Sequence, residues 1–348
     1  RVPCLHPYCF HSCIGPPPSW YDRPWEGPVP ATLECGDYSV HALWPLALPE
    51  NVVDCVPEKD NDLAFVVAGD RSTYIFEGTT FGFQEYFRML RGSLFVHATK
   101  KNGWDSRRLV EALSSGTVPL YLGLDLVPQK VLSGYPRELL REALHMPGLE
   151  RGRVRPGFDM DRYVEIASEL LRFAKHRMTS TAFVDHMLNI TGTSRGPVLC
   201  IRGGAPLHSY TYPVLVELRR RFGEDLAEYP AFPHTWLYDG DRPFGEEDRS
   251  HRYPNMRSIR RSRAQRSRED VVALLGARAF SLVVIPEYRW GGFDLEVLDL
   301  ALKKYQGNNL VFIDDCDTGW GDKPDFMAAA ARKGTLFMRE LPDECVGI

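Results

Sequence analysis

Three short apolar runs mark the first half of the chain: LAFVVAG at 63–69, SLFVHAT at 93–99 and TVPLYLG at 117–123. Gly or polar residues bound each one, and helical patterns lie between and after them, as buried parallel strands joined by crossover helices read. From 160 to 178, MDRYVEIASELLRFAKHRM sets Tyr163, Ile166, Leu170, Phe173 and Ala174 at helical spacing. That helix completes a first α/β unit, which we bound at 61–188. NITGTSRGP (189–197) has the small, polar composition of a linker. A second unit, 196–348, opens on the strand VLCIRGG (198–204). It continues through a helix, YPVLVELRRRFG, a strand at 280–286, a helix at 294–306 and a strand at 309–315. Strands alternating with helices of ten to fifteen residues predict an α/β protein of two Rossmann-like lobes on parallel sheets. No repeat of fixed period relates the two.

Residues 1–60 break this pattern. They are rich in Pro, Cys and aromatics (GPPPSWYDRPWEGPVP) and show no sustained period, which predicts an irregular N-terminal segment. Five of the eight cysteines, Cys4, Cys9, Cys13, Cys35 and Cys55, crowd into it, while Cys200, Cys316 and Cys345 are scattered. An even total so clustered predicts disulfides and a secretory compartment such as the Golgi lumen; without disulfides the expectation is cytoplasmic. Zinc is the competing reading, since His6 and His11 lie among the thiols of CLHPYCFHSC, but the spacing is not a common zinc pattern. Asn189-Ile190-Thr191 is a glycosylation sequon.

Charge narrows the partners. The 44% hydrophobic, 25% charged composition and a formal net charge of −4 fit a globular protein, and they argue against a surface adapted as a whole to nucleic acid. No run of eighteen apolar residues occurs, so no segment of this sequence is expected to span a bilayer. The chain begins at Arg1, which leaves open whether a signal peptide or anchor precedes it.

The densest chemistry lies in KKNGWDSRRLVEALSSGTVPLYLG (100–123). A strand ends, a loop follows, and Asp105 or Ser106 is placed to cap a helix that runs to Ser115, with Gly116 beyond its end. The loop falls at the carboxyl end of a parallel strand, where α/β sheets bind ligands. Unsatisfied helix amides, with Lys100, Lys101, Arg107 and Arg108 beside them, favour a diphosphate. Glu111, one turn further in, is an acceptor-only carboxylate suited to two ribose hydroxyls, and Trp104 could stack on a base or sugar. The plain alternative is a surface pair between Arg107 and Glu111, worth a few tenths of a kcal/mol.

SRRLVEALSSGTVPLYLG closely resembles the signature of exostosin-like glycosyltransferases, and the longer KKNGWDSRRLVEALSSGTVP looks like a branch found in algae and large algal viruses. PVLCIRGG, EYPAFPHTW and ARKGTLFMREL resemble that branch more loosely. The resemblance implies a GT-B-like enzyme that moves a sugar from a nucleoside-diphosphate sugar to a hydroxyl of a glycan or glycoprotein, with inversion and without a metal. It implies Glu111 as the ribose ligand and Arg107 or Arg108 as the pyrophosphate ligand, with Lys100 and Lys101 as weaker candidates. In the usual two-lobed enzymes the donor lobe is C-terminal, whereas here the motif precedes a whole second unit. Either the lobes are permuted or the second unit has another role. A non-catalytic carbohydrate-binding or assembly protein on the same fold is the alternative.

Other groups are weighed beside it. A general base is expected, with Asp70, His97 and Asp314 at strand ends as the candidates. LVFIDDCD offers Asp315 and Asp317 as an Asp-x-Asp pair for Mn²⁺ or Mg²⁺, against a structural strand end. The Arg-dense tract 249–268 reads as a solvated loop sooner than as a nucleic-acid site. His208 and His234 read as structural. No Gly-x-Gly-x-x-Gly fingerprint, Walker A loop or Gly-x-Ser-x-Gly elbow is present.

Overall fold

The computed structural model describes residues 2–3, 12–15, 23–28, 32–42, 52–65, 83–99, 106–128, 131–150, 153–203, 211–230, 266–286, 292–314 and 324–339. Among these, the N-terminal segment contributes β1 (Val2–Pro3), β2 (Ser12–Cys13), β3 (Thr32–Cys35) and β4 (Tyr38–Ala42). Next come β5 (Asn61–Phe65), α1 (Phe83–Gly92), β6 (Ser93–Thr99), α2 (Arg107–Ser114), β7 (Val118–Leu122), α3 (Arg137–Leu144), β8 (Leu149–Glu150), β9 (Arg153–Val154) and α4 (Met160–Arg177). The chain continues through α5 (Ser180–Thr191), β10 (Val198–Ile201), α6 (Thr211–Phe222), β11 (Leu226–Tyr229), α7 (Arg268–Gly276) and β12 (Leu282–Pro286). It closes with α8 (Leu295–Lys304), β13 (Gly307–Asp314), α9 (Pro324–Lys333) and β14 (Gly334–Met338). The class is α/β on mostly parallel sheets, as the alternation predicts.

The chain divides into two units, one of Arg1–Val29 with Glu50–Thr179, the other of Pro30–Pro49 with Ser180–Ile348. These bounds differ from 1–60, 61–188 and 196–348, and local sequence explains both differences. Part of the N-terminal segment is a hairpin: Cys35 pairs with Tyr38 across a two-residue Gly36-Asp37 turn, with Gly36 at φ 69. Its strand β4 lies parallel to β14, so a segment expected to be irregular extends the sheet of the second unit. The stretch read as a linker from 189 begins inside α5, where Phe183, Val184, Met187, Leu188 and Thr191 are buried at helical spacing. Asn189 of the sequon is exposed near the end of that helix.

In the first unit the strand order is β7-β6-β5-β9-β8, with β5, β6 and β7 parallel and β8–β9 an antiparallel hairpin at the edge. Phe95 of β6 stacks edge-on against Tyr163 of α4 with ring centroids 5.3 Å apart, so α4 covers the face that carries Phe95, His97 and Thr99. Cys13 and Cys55 form a buried disulfide, and Ile14 N donates to Val56 O at 2.9 Å, which fastens the N-terminal arm to this unit. Cys35 is disulfide-bonded as well. Of the remaining clustered cysteines, Cys4 and Cys9 lie outside the described residues.

In the second unit the order is β11-β10-β12-β13-β14-β4-β3, parallel except for β3. Without the hairpin this is the doubly wound order 2-1-3-4-5. Residues of α7, α8 and α9 share one core with Leu199, Ile201, Val283, Ile285 and Phe312. On the opposite face α5 packs on the sheet, with Phe183 edge-on to Phe337 at 5.3 Å, and α5 packs on α6.

His41 of β4 lies in the seam between β4 and β14, with its ring 5.3 Å from Phe337 and Nδ1 2.9 Å from Thr32 Oγ1. Burial holds its pKa below the usual histidine value of 6.5, with Glu34 pulling upward. The unfolded chain therefore binds the proton more tightly. The hairpin's stability is complete above pH 6.5 and is lost as pH falls from there toward the folded pKa. Exchange protection of amides 33–41, corrected for intrinsic rate, should fall between pH 7 and 5 in the wild type and not in His41→Gln. Equal pH dependence in both would remove His41 as the cause.

Candidate functional site

The motif helix forms where its sequence places it. Ser106, extended at φ −82 and ψ 146, accepts Leu109 N on its Oγ at 3.3 Å and caps the N-terminus. Leu109, Val110, Ala112 and Leu113 are fully buried, which pins α2 to its unit by an apolar face. Strand β6 ends at Thr99, so α2 begins beyond the carboxyl edge of a parallel strand. Arg107 opens the helix and Arg108 is half-buried. Glu111 is only 5% exposed, one turn inside. Lys100, Lys101 and Trp104 lie outside the described residues.

The far end of α2 is clamped. Gly116 has φ 67, and a Cβ there would meet Pro57 Cδ at 2.7 Å, so both conformation and space require glycine. Val53 N donates to Ser114 O at 3.0 Å. Lys59 Nζ donates to Arg91 O and Gly116 O, each at 2.8 Å, and to Thr117 Oγ1 at 3.3 Å. It thus places a cation at the carboxyl ends of α1 and α2 together. Burial pushes the Lys59 pKa well down, against the pull of Asp60. No feature of the sequence motif singles out Lys59; its role depends on the disulfide-fastened segment 52–60 running beneath the helix.

After β7, Arg137 holds the loop at the same edge. Its guanidinium donates to four carbonyls: Pro128 at 2.8 Å, Val127 at 2.9 Å, Val131 at 3.2 Å and Leu124 at 3.3 Å. That loop carries Leu126, which is 79% exposed.

Of the candidate bases, His97 is half-buried on β6, beside Leu120 of β7, and burial lowers its pKa. Its imidazole is therefore neutral at pH 7. Asp314 ends β13 in the other unit, buried, with its backbone oxygen accepting Arg339 N at 3.0 Å. Asp70, Asp315, Asp317, His208 and His234 lie outside the described residues. Among the described residues no group of three His, Cys, Asp or Glu is arranged to hold a metal ion, and no helix is long and apolar enough to cross a membrane.

The last residue of the Arg-dense tract has a defined place. Arg268 begins α7 and donates to both oxygens of Asp294, at 2.6 and 3.2 Å, and to Glu296 at 2.6 Å. Tyr229 Oη donates to the same Asp294 at 2.7 Å. Asp294 also caps α8, accepting from Glu296 N and Val297 N. Arg268 and Tyr229 together hold its carboxyl well below the usual range. This cluster ties the ends of β11, α7 and α8, a structural use of one arginine that composition alone does not separate from the tract, of which 249–265 lies outside the described residues.

Compared with models of protein families, with curated proteins and with solved structures, the chain matches none.

Proposed function

We propose that the protein is an exostosin-like glycosyltransferase with a GT-B-like pair of lobes in permuted order, acting in the secretory pathway. It transfers a sugar from a nucleoside-diphosphate sugar to a glycan or glycoprotein hydroxyl, with inversion. The observation that carries this reading is Glu111: a carboxylate buried one turn inside a capped helix that starts at the carboxyl edge of β6, with Arg107 and Arg108 in the turn before it. A carboxylate is an acceptor suited to two ribose hydroxyls, and the guanidinium and amide donors before it suit a diphosphate.

In the reaction an acceptor hydroxyl attacks the anomeric carbon while the bond to the diphosphate oxygen breaks. The attacking proton passes to a base, and the leaving diphosphate takes the electron pair. Fixed positive charge at that leaving group lowers the barrier, by about 3 kcal/mol for a well-placed donor in comparable sites. The arginines serve this role without a metal, and His97, neutral at pH 7, is the described candidate base in the motif unit. The buried Cys13–Cys55 disulfide is compatible with an oxidising compartment.

Calorimetric titration with a panel of nucleoside diphosphates, with and without Mn²⁺, tests the reading. One nucleotide should bind at micromolar strength without metal, and Glu111→Ala and Arg108→Ala should each weaken it at least tenfold. If no nucleotide binds, or binding survives both substitutions, the motif is a structural helix, and the non-catalytic carbohydrate-binding alternative replaces this proposal.

A further inference from the structure

The end of α5 carries a feature that the proposed function leaves unused. We infer that Asn189, in Asn189-Ile190-Thr191, is the attachment site of an N-linked glycan on the outer face of the second unit. Such a site shares with the proposed function only the secretory pathway, and it uses no part of the donor site.

A sequon can serve as a site where the folded chain leaves the asparagine outside with room beside it. Helix α5 is buried along one stripe, through Phe183, Val184, Met187, Leu188 and Thr191, and Phe183 meets Phe337 of the sheet. Asp185 and Asn189, four residues apart on the other side, are both exposed. Asp185 pairs there with Arg221 of α6, and none of the exposed large apolar side chains belongs to α5. The helix stops directly after the sequon. Thr193 N donates to Leu188 O at 3.1 Å and Gly192 N to Asn189 O at 3.4 Å, with Gly192 at φ 69. This is the paired closure by which a left-handed glycine ends a helix, and it holds Asn189 in the last helical turn. A Cβ built on Gly192 would meet nothing within 4 Å. The space three residues on from the asparagine, on the same side of the helix, is therefore open. Ser194 and Arg195, which follow, are exposed as well.

A triplet of this kind also arises by chance, and Thr191 has a local use, since its hydroxyl donates to Leu188 O at 3.2 Å. Two observations favour occupancy. The asparagine is the exposed member of the triplet, whereas Thr191 is 6% exposed. Cys13–Cys55 is closed and Cys35 is disulfide-bonded, and such bonds belong to the compartments in which surface Asn-x-Ser/Thr sequences receive glycans. In the modification, Asn189 Nδ2 attacks the anomeric carbon of an oligosaccharide carried on a lipid diphosphate. The bond from that carbon to the diphosphate oxygen breaks, the diphosphate leaves with the electron pair, and one amide proton passes to a base of the transferring enzyme. The bulky, hydrophilic product keeps the outer face of α5 in water and bars it from a stable protein contact.

Mass spectrometry of the full chain isolated from the cells that make it tests the site. The peptide that contains residue 189 should be heavier by a glycan in most copies. Peptide-N-glycanase in heavy-oxygen water should then leave a labelled aspartate at that position. In the full chain secreted by a eukaryotic cell, Asn189→Gln should abolish the mass shift and Thr191→Ser should retain it. The first variant alters only an exposed side chain, and the second keeps the hydroxyl that bonds Leu188 O. If the peptide is found only unmodified, or the shift survives Asn189→Gln, Asn189 is not the site. Either of those results overturns the inference and leaves the donor-site reading to its own nucleotide titration.

Discussion

Arg219→Met is expected to destabilise the second unit by about 3–5 kcal/mol, the usual cost of leaving a buried charge without its partner. Arg219 of α6 and Glu228 of β11 are each 7% exposed and meet at 2.6 Å, with a second contact from Nε at 3.2 Å. The remaining donors of Arg219 are used too: Nη1 reaches Gly223 O at 2.7 Å and Leu226 O at 2.9 Å, which fixes the turn between helix and strand. Methionine matches much of the stem and none of the five-donor fork. It takes the guanidinium away from the Glu228 carboxylate and releases two carbonyls. Adding Glu228→Met should recover most of the loss, because a buried ion pair exchanged for apolar side chains is often near neutral. What the double variant keeps losing measures the two carbonyl bonds, at about 1 kcal/mol each. Urea unfolding followed by a probe in the second unit decides: a single variant within about 1 kcal/mol of the wild type, or a double variant no better than the single, would refute this account.

The neighbouring Glu217, more deeply buried still, shows why such pairs are hard to foresee. It accepts from Arg220 at 2.7 and 2.9 Å, and from Arg221 at 3.4 Å. In RRRFGEDLAEY the three arginines look alike. Only the helical phase of α6 against β11 turns Arg219 inward to Glu228, while Arg220 and Arg221 serve Glu217 from outside. Periodicity locates the helix; pairing across elements needs the third dimension.

The same distinction runs through the fold and the site. β6 over 93–99 and α4 over 160–177 match their apolar patterns because each buries a continuous stripe of its own residues. The Ser106 cap and Gly116 are legible because capping chemistry is local. The hairpin β3–β4 has a signal, alternating burial around Gly36-Asp37, but the Pro- and Cys-rich surroundings hide it. Its docking on β14 is not legible, since Phe337 and His41 pair across almost the whole chain and no nearby residue encodes that. The end of α5 is hidden because its last residues, Asn189-Ile190-Thr191, share the small, polar character of the GTSRGP that follows. Glu111 is legible as a candidate from spacing, but its burial is not. Lys59 and Arg137 carry no signal of their own, because each acts on backbone carbonyls contributed by other segments.

Replacing Cys13 and Cys55 together by Ala is the second change with a large expected effect, a loss of about 2–4 kcal/mol. The disulfide joins residues 42 apart. In the chain-entropy model a closed loop of that size is worth about 4 kcal/mol, and residual order in the unfolded chain lowers that figure. Melting of the first unit should fall by about 2–4 °C for each kcal/mol lost. The loop also encloses the excursion Pro30–Pro49, through which the chain leaves the first unit, donates β3–β4 to the sheet of the second and returns. A freed N-terminal arm lowers the effective concentration of the hairpin at β14. Amides of β3 and β4 should therefore lose exchange protection in the Cys13→Ala/Cys55→Ala protein, although neither cysteine belongs to their unit, while β10, β12 and β13 stay as protected as in the wild type. The hairpin has its own anchors in the disulfide at Cys35, in the parallel pairing of His41 and Ala42 with Phe337 and Met338, and in Arg332 on Asp37 at 2.8 and 2.9 Å. The last is an exposed pair that salt weakens. If hairpin protection holds without the disulfide, these anchors suffice and the strap serves the first unit alone; if it falls and about 1 M salt lowers it further, covalent closure and ion pair share the load of keeping a strand from one end of the chain in a sheet built by the other.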